Sequence, residues 1–339
     1  FHGCAIHEAT GEVFEFSCLP DVNYLIKKID KLRKEDTEIK ICYEATYLGF
    51  SLLRDLRKKG LFCEVIAPSL IPKLPGECVK TDRLDSQKLA QYYMKGLLTV
   101  VTEPDEETES IRDMLRSRAF VVEQGKEMKL HILSLCRRYG VSYLKETGNK
   151  CYWTGHHRKW LEEKVKTQEQ KSFGRNCQRL LLLLQHLEQQ IESYEQDLKE
   201  YAELPRYSRA IRGLEGFRGI GTLTAMSVIF EIGDVRRFDH PKRLVSYAGL
   251  DIREYSSGGQ ERKFGISKLG NKHLRKALIS ASQLAINPVS ISRGLKSRRV
   301  ECEPEMIAIA DRCMERLSRK SYHLKMREKP NNKIKVACA

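Results

Sequence analysis

GLEGFRGIGTLTAMSVIFEIGDVRRF, residues 213–238, and YAGLDIREYSSGGQERKFGISKLGNKHLR, residues 247–275, are the stretches from which the rest of the chain can be read. Gly213, Gly216, Gly219 and Gly221 stand directly before the apolar run Leu223–Ile232. That spacing predicts a tight turn opening a helix, which aims backbone N–H groups and a helix N-terminus at an anion. Further on, Arg253, Arg262, Lys263 and Lys268 surround Ser256-Ser257-Gly258-Gly259. A hydroxyl among cations suits attack on phosphorus, the cations stabilising the charge that develops. A flexible loop without chemistry suits the same tetrapeptide.

Charge points the same way. The 339 residues carry 60 Lys and Arg against 45 Asp and Glu, a net +15. From Arg206 to Arg299 there are 19 basic and 7 acidic side chains, so the surplus concentrates around the opening stretches. An excess of this kind favours a polyanionic partner, most often nucleic acid. The segment LEGFRGIGTLTA resembles a helix-hairpin-helix, a backbone-reading DNA-binding turn, although a glycine-rich helix junction would look the same. Arg218, Gly219, Gly221, Arg253, Arg262, Lys263, Lys268 and Arg275 are the candidate phosphate contacts.

Upstream, FHGCAIH and EVFEFSC alternate across Ala9-Thr10-Gly11, which predicts a β-hairpin. Asp21–Lys34 has helical spacing, IKICYE is a short strand ending at Glu44, Leu48–Lys59 is a helix and FCEVIAP another strand. The alternation implies a mixed α/β sheet. KTDRLDSQKLAQYYMKG follows as a helix stopped at Gly96. Thr108–Arg138 repeats Met114, Val121, Met128 and Leu135 every seven residues. Gln178–Leu204 places Leu180, Leu184, Leu187, Ile191, Tyr194, Leu198 and Tyr201 at alternating fours and threes. These seams predict an antiparallel helical pair or an intermolecular coiled coil. The expected divisions are 1–105 (α/β), 106–205 (coiled-coil and helical), 206–290 (mostly α, with the Ser-Gly motif) and 291–339 (a basic helical tail).

Glu44, at the carboxyl end of a strand, sits where α/β sheets place ligands. Asp82 and Asp85, three apart, share a helix face. Carboxylates so gathered suit one or two Mg²⁺ ions in phosphodiester chemistry. Asp82 equally suits a helix N-terminal charge, and Asp85 a surface pair with Arg83 or Lys88. The eleven cysteines are scattered without metal spacing, which reads as reduced thiols. His156 and His157 near Cys151 lack zinc-ligand spacing. No apolar run approaches the roughly 20 residues that span a bilayer, and no secretory signal is evident, so no membrane partner is expected.

ICYEATYLGF and KTDRLDSQKLA, followed by GFRGIGTLTAMSVIFEIGDVRRFDHPKRLVSYAGL, SSGG and GISKLGNKHLRKAL, resemble the DEDD-type insertion-sequence transposases, a group that includes the Piv-type invertases. Two motif blocks in the right order cover most of the chain. The resemblance implies a RuvC/RNase H-like N-terminal domain, a coiled-coil insertion and a C-terminal transposase domain. It implies a DNA recombinase that cuts and rejoins double-stranded DNA, with Mg²⁺ on Glu44, Asp82 and Asp85 and Ser257 as the nucleophile forming a phosphoserine link. Ser256 is the register alternative. It further implies a structured bridge RNA as guide, a homo-oligomer (dimer or tetramer) through the coiled coil, and a prokaryotic, cytoplasmic, nucleoid-associated protein. The family's first aspartate lies on a strand before the hairpin, and no Asp precedes Asp21 here. The expected fold therefore lacks that first strand, either because the covered sequence is incomplete or because the protein is truncated, and three carboxylates should bind metal weakly. Family members also usually continue beyond KVACA. A resolvase-like metal-dependent endonuclease and a non-catalytic nucleic-acid-binding remnant are the alternative readings.

Overall fold

Alternating residues at the start of the chain form an antiparallel hairpin, β1 (His2–Ile6) with β2 (Val13–Ser17), in register from His2 opposite Ser17 to Ile6 opposite Val13. The computed structural model describes residues 1–33, 37–72, 81–167, 169–257 and 260–339, without the side chains of residues 255–263. The chain divides into two compact units. One is Phe1–Asp105 with Lys242–Gly270; the other is Glu106–Pro241 with Asn271–Ala339.

In the first unit, α1 (Val22–Leu32) starts at Asp21, whose carboxylate accepts from the Asn23 and Tyr24 amides. Then β3 (Lys40–Glu44), α2 (Ser51–Lys58) and β4 (Phe62–Ile66) form a parallel β-α-β unit, with Lys40 opposite Phe62 and Glu44 opposite Ile66. Leu25 and Ile29 of α1 and Leu53 and Leu56 of α2 bury against Cys63 and Val65. Next, α3 (Asp82–Met94), capped by the Thr81 hydroxyl, packs on both β1 and β3. The single mixed sheet expected from the sequence is instead two separate two-stranded sheets. No described strand lies between the hairpin and the parallel pair, so α3, and not backbone hydrogen bonding, spans them.

The second unit is helical. Its two long members, α4 (Glu106–Arg138) and α7 (Lys171–Ala202), run antiparallel and are linked through α5 (Tyr143–Thr147) and α6 (Gly155–Thr167). Ile111 and Leu115 meet Leu198 and Ala202, Arg118 pairs with Glu195, Gly125 lies against Ile191, and Lys129 pairs with Glu188. At the far end, Ile132, Leu135 and Cys136 meet Cys177 and Leu184. The α7 seam follows the expected row, and the α4 seam follows it in part, with Met114 and Met128 half-buried against the clusters at either end. Of Met114, Val121, Met128 and Leu135 only Leu135 is buried; the facing row runs through Thr108, Ile111, Leu115, Gly125, Ile132 and Cys136. That row is interrupted by Arg118 and Lys129, whose charges are answered by glutamates on α7, so hydrophobicity alone picks the neighbouring stripe.

Two shorter helices, α8 (Pro205–Glu215) and α9 (Thr222–Ile232), pack on the N-terminal part of α4 through Tyr207, Ile211, Met226 and Phe230. The chain then enters the first unit as α10 (Pro241–Tyr247), β5 (Ile252–Ser257) and β6 (Gln260–Ile266). It returns as α11 (Lys272–Ala281), α12 (Arg293–Arg299), α13 (Pro304–Met326) and α14 (Asn331–Cys338). The result is a mixed α/β chain with a large helical part. Among the described residues no helix is long and apolar enough to cross a membrane.

Candidate active site

Parallel pairing decides which side chains can meet α3. Residues opposite one another in a parallel ladder share a face and alternate along each strand. Cys63 and Val65 point into the α2 side and are buried. Cys42, Glu44, Glu64 and Ile66 therefore share the other face. That is the face α3 covers, because the Tyr93 hydroxyl donates to Glu64 Oε2 at 2.6 Å. Asp82, Asp85, Leu89 and Tyr93 recur at threes and fours on one side of α3. Both aspartates lie in its first turn, where the helix dipole favours negative charge. At this end α3 is tied to the hairpin: His2 Nε2 lies 3.9 Å from Asp82 Oδ2, and Arg83 pairs with Glu15 at 2.7 Å.

Asp82 is exposed, whereas Glu44 and Asp85 are half-buried. Among the described residues no three His, Cys, Asp or Glu side chains are gathered as metal ligands. The donor chemistry nonetheless suits a hard divalent ion, since Mg²⁺ keeps several waters and takes only one or two carboxylates besides substrate phosphate. The neighbouring thiols are held in the protonated form. Burial, then Cys63 and Glu64, push Cys42 up to about 12, and burial pushes Cys63 up to about 12 against the lowering effect of Arg57.

The Ser-Gly motif lies on the β5–β6 hairpin. Its base is closed by the Ser267 amide donating to Asp251 O at 2.7 Å, the Ser267 hydroxyl to Asp251 Oδ1 at 2.5 Å, and the Lys268 amide to Gly249 O at 3.1 Å. Gly270 has φ 119°, and a Cβ there would lie 2.4 Å from Tyr247 O. Ser256 stands opposite Glu261, and Ser257, the last residue of β5, opposite Gln260. Gly258 and Gly259 lie outside the described residues, as do the side chains of Ser256, Ser257, Arg262 and Lys263. Arg253 and Lys268 are exposed.

In the second unit the glycine turn has packing reasons of its own. A Cβ at Gly213 would come 3.1 Å from Met306 Cε, and one at Gly216 3.3 Å from Cys302 Sγ. Gly219 has φ 91°, and a Cβ there would lie 2.2 Å from Ala281 O. Only Gly221, which caps α9, faces open space. Arg218 reaches Asn287 O (3.4 Å) and Ser290 Oγ (3.5 Å), and Arg275 is half-buried on α11. The carbonyls at the end of α8 are met by α12: Arg298 donates to Glu215 O at 3.2 Å and Arg299 to Gly216 O at 3.0 Å.

Sequence reasoning passed over Glu231. It is 3% exposed on α9, accepts two 2.8 Å hydrogen bonds from the Arg116 guanidinium and one of 2.7 Å from Asn271 Nδ2. Asn271 also caps α11, accepting from the His273 and Leu274 amides. The Asn of GNKHLR thus ties the α11 cap to the helix that follows the glycine turn. A lone acid within the otherwise apolar run Leu223–Ile232 was the available signal.

Two family models match in chain order. One described as "Transposase", of the IS110 DEDD type, matches residues 1–140, and one described as "Transposase IS116/IS110/IS902 family" matches residues 212–294. The Sinorhizobium fredii protein y4qE, which carries a transposase name, is 30% identical over 315 residues, covering 92% of this chain and 75% of its own. The transposase for insertion sequence element IS1533 of Leptospira borgpetersenii is 28% identical, over 90% of this chain and 87% of its own. The transposase for insertion sequence element IS1111A of Coxiella burnetii is 28% identical over 64% of this chain and 58% of its own. With both motif blocks matched in order and this similarity extending over nearly the whole chain, the protein belongs to the IS110/IS116 family of DEDD transposases, enzymes of insertion sequences.

Proposed function

We propose that the protein cuts and rejoins double-stranded DNA by serine attack assisted by bound Mg²⁺. The observation that carries this reading is that α3, the Glu44 face of β3 and the β5–β6 hairpin all belong to one compact unit, although residues 106–241 separate them in sequence. Ser257 Oγ would attack phosphorus, its proton leaving to solvent. The displaced sugar oxygen takes up a proton, and a phosphoserine ester preserves the bond energy. Attack on that ester by another strand's hydroxyl rejoins DNA and restores the serine. Mg²⁺, held by Glu44 with Asp82 or Asp85, would neutralise charge on the phosphate. Arg253, Arg262, Lys263 and Lys268 supply cations around the serine, and Gly221 the open backbone for a phosphate contact, with Arg218, Gly219 and Arg275 beside it. Assembly through α4 and α7 is supported by exposed apolar side chains on this pair, Phe120 at 65%, Leu130 at 68% and Leu182 at 61%. A structured guide RNA is part of the same reading and is tested by sequencing RNA that co-purifies with the protein.

The deciding experiment is covalent capture on a nicked duplex carrying the element end. Wild type should yield a protein–DNA adduct stable to denaturant, with the phosphate on Ser257 by mass spectrometry. Ser257→Ala should yield neither adduct nor nick. Nicking by Ser257→Ala without an adduct would assign attack to metal-activated water. An adduct on Ser256 would move the nucleophile by one residue.

A further inference from the structure

A second concentration of positive charge lies in the helical unit, away from the glycine turn. Around the glycine turn several cations are paired with carboxylates: Arg206 with Glu107 (3.1 Å), Arg209 with Glu303 (2.9 Å), Arg212 with Glu203 (2.7 Å), and Arg236 with Asp234 (2.9 Å). Lys276 pairs with Glu123 (3.3 Å) and Arg299 with Asp311 (2.8 Å). At the opposite end of the α4–α7 pair, residues 137–179 hold eleven basic and four acidic side chains. There Arg137, Arg138, Lys150, Lys159, Lys171 and Arg175 are exposed and make no ion pair among the described residues.

Arg137 and Arg138 close α4, Lys171 and Arg175 lie in the first turns of α7, Lys159 lies in α6 and Lys150 in the loop before it. Tyr139, just past α4, stacks on Phe173 of α7 with ring centroids 4.3 Å apart. Leu161 and Val165 of α6 bury against Phe173 and Cys177. The aromatics here are structural. Trp153 lies between Lys129 Nζ and the Arg158 guanidinium, each 5.8 Å from its ring centre, and Trp160 packs edge-on against Tyr143. Tyr139 stays 46% exposed while it stacks on Phe173, and the other rings are engaged in packing, so this end presents mainly charge. Single-stranded nucleic acid is held by stacking as well as charge, whereas sequence-independent duplex binding rests on phosphate contacts.

We propose that this end of the α4–α7 pair is a second DNA-binding surface, specific for the phosphate backbone of double-stranded DNA. From Ile111, where α8 and α9 pack, to Arg137 is 26 residues of α4, or about 39 Å of helix. This exceeds one turn of duplex, about 34 Å. The surface therefore touches phosphates about a turn away from any held at the glycine turn, lengthening the protein's footprint on DNA.

The test titrates the full chain with a duplex of about 40 base pairs across about 50 to 300 mM salt, where each phosphate contact adds about 0.9 to the slope of log K against log salt. Lys150→Gln/Lys159→Gln/Lys171→Gln is compared with wild type, with the Arg triple at the same positions, and with Lys27→Gln/Lys31→Gln/Lys59→Gln as an equal-charge control. The tip triple should bind roughly tenfold or more weakly at low salt, with a slope shallower by about 2 to 3. The Arg triple should match wild type and the control should stay within about twofold, all with unchanged helical circular dichroism. Wild-type affinity and slope in the tip triple, an equal loss in the control, a loss confined to structured RNA, or a changed subunit mass with unaltered duplex binding would each overturn the proposal.

Discussion

Tyr93 and Glu64 join α3 to β4 by a hydroxyl-to-carboxylate hydrogen bond of 2.6 Å, three helical turns from Asp82 on the same side of the helix. Burial and the nearby Glu64 both raise the Tyr93 phenol, so it stays a donor across the working pH range. Tyr93→Phe removes the donor and keeps the ring. It should cost about 1 kcal/mol and speed hydrogen exchange in Asp82–Met94 more than in α1. Exchange rates in the two helices equal to wild type would show that α3 is held by packing alone.

Glu231 gives a sharper stability prediction. Burial would raise its carboxyl, but hydrogen bonds from Arg116 and Asn271 outweigh this and hold it below 4.5. The unfolded chain therefore takes up this proton first as pH falls. The contribution is complete above about 4.5 and is lost as pH drops through the lower folded value. Arg116→Met leaves the carboxylate buried without its cation and should cost about 3 kcal/mol at pH 7. Urea denaturation at pH 7 and near pH 3.5 checks it: the gap between variant and wild type should narrow at the acid end.

At the far end of the helical pair, Tyr143 Oη and His157 Nε2 are buried without a hydrogen-bond partner among the described residues, on rings whose centroids are 4.7 Å apart. Tyr143→Phe should accordingly be neutral or stabilising by up to about 1 kcal/mol. Burial, then the Arg158 charge, lowers His157 below its ordinary 6.5. The unfolded chain again binds the proton first, so wild type should lose stability below about 6.5. His157→Phe should lose less over that interval. Thermal melts at pH 7.5 and about 5.5 separate the two variants.

Much of this architecture was legible in the sequence because local chemistry and tertiary context agree there. The hairpin of β1 and β2, the β-α-β unit from Lys40 to Ile66 and the seam of α7 follow from alternation, period and caps. Part of the α4 seam was missed because Arg118 and Lys129 sit in it, made tolerable by Glu195 and Glu188 some sixty residues or more away in sequence. The buried partnership of Glu231 with Arg116 and Asn271 is hidden for the same reason, since each partner alone looks like a surface residue. Charge counting marks residues 206–299 as basic, but it cannot see which of their arginines are occupied with carboxylates and helix-end carbonyls.

The glycine turn separates fold from function within two residues. Gly219 needs its positive φ of 91° and the absence of a side chain, because a Cβ would meet Ala281 O at 2.2 Å. Gly219→Ala must shift α11 or the turn itself, and should cost more than about 2 kcal/mol, lowering Tm whether or not DNA is present. Gly221 caps α9 with φ −108° and ψ 176°, extended backbone that any residue adopts, and nothing lies within 4 Å of its missing Cβ. Gly221→Ala should therefore change stability by less than about 1 kcal/mol. If this turn brings its backbone against a phosphate, the added methyl stands in the way of that approach. Duplex affinity should then fall while Tm holds. A Gly221→Ala protein that binds duplex like wild type would leave all four glycines with packing or connection as their reason, and would move the phosphate contacts to side chains elsewhere.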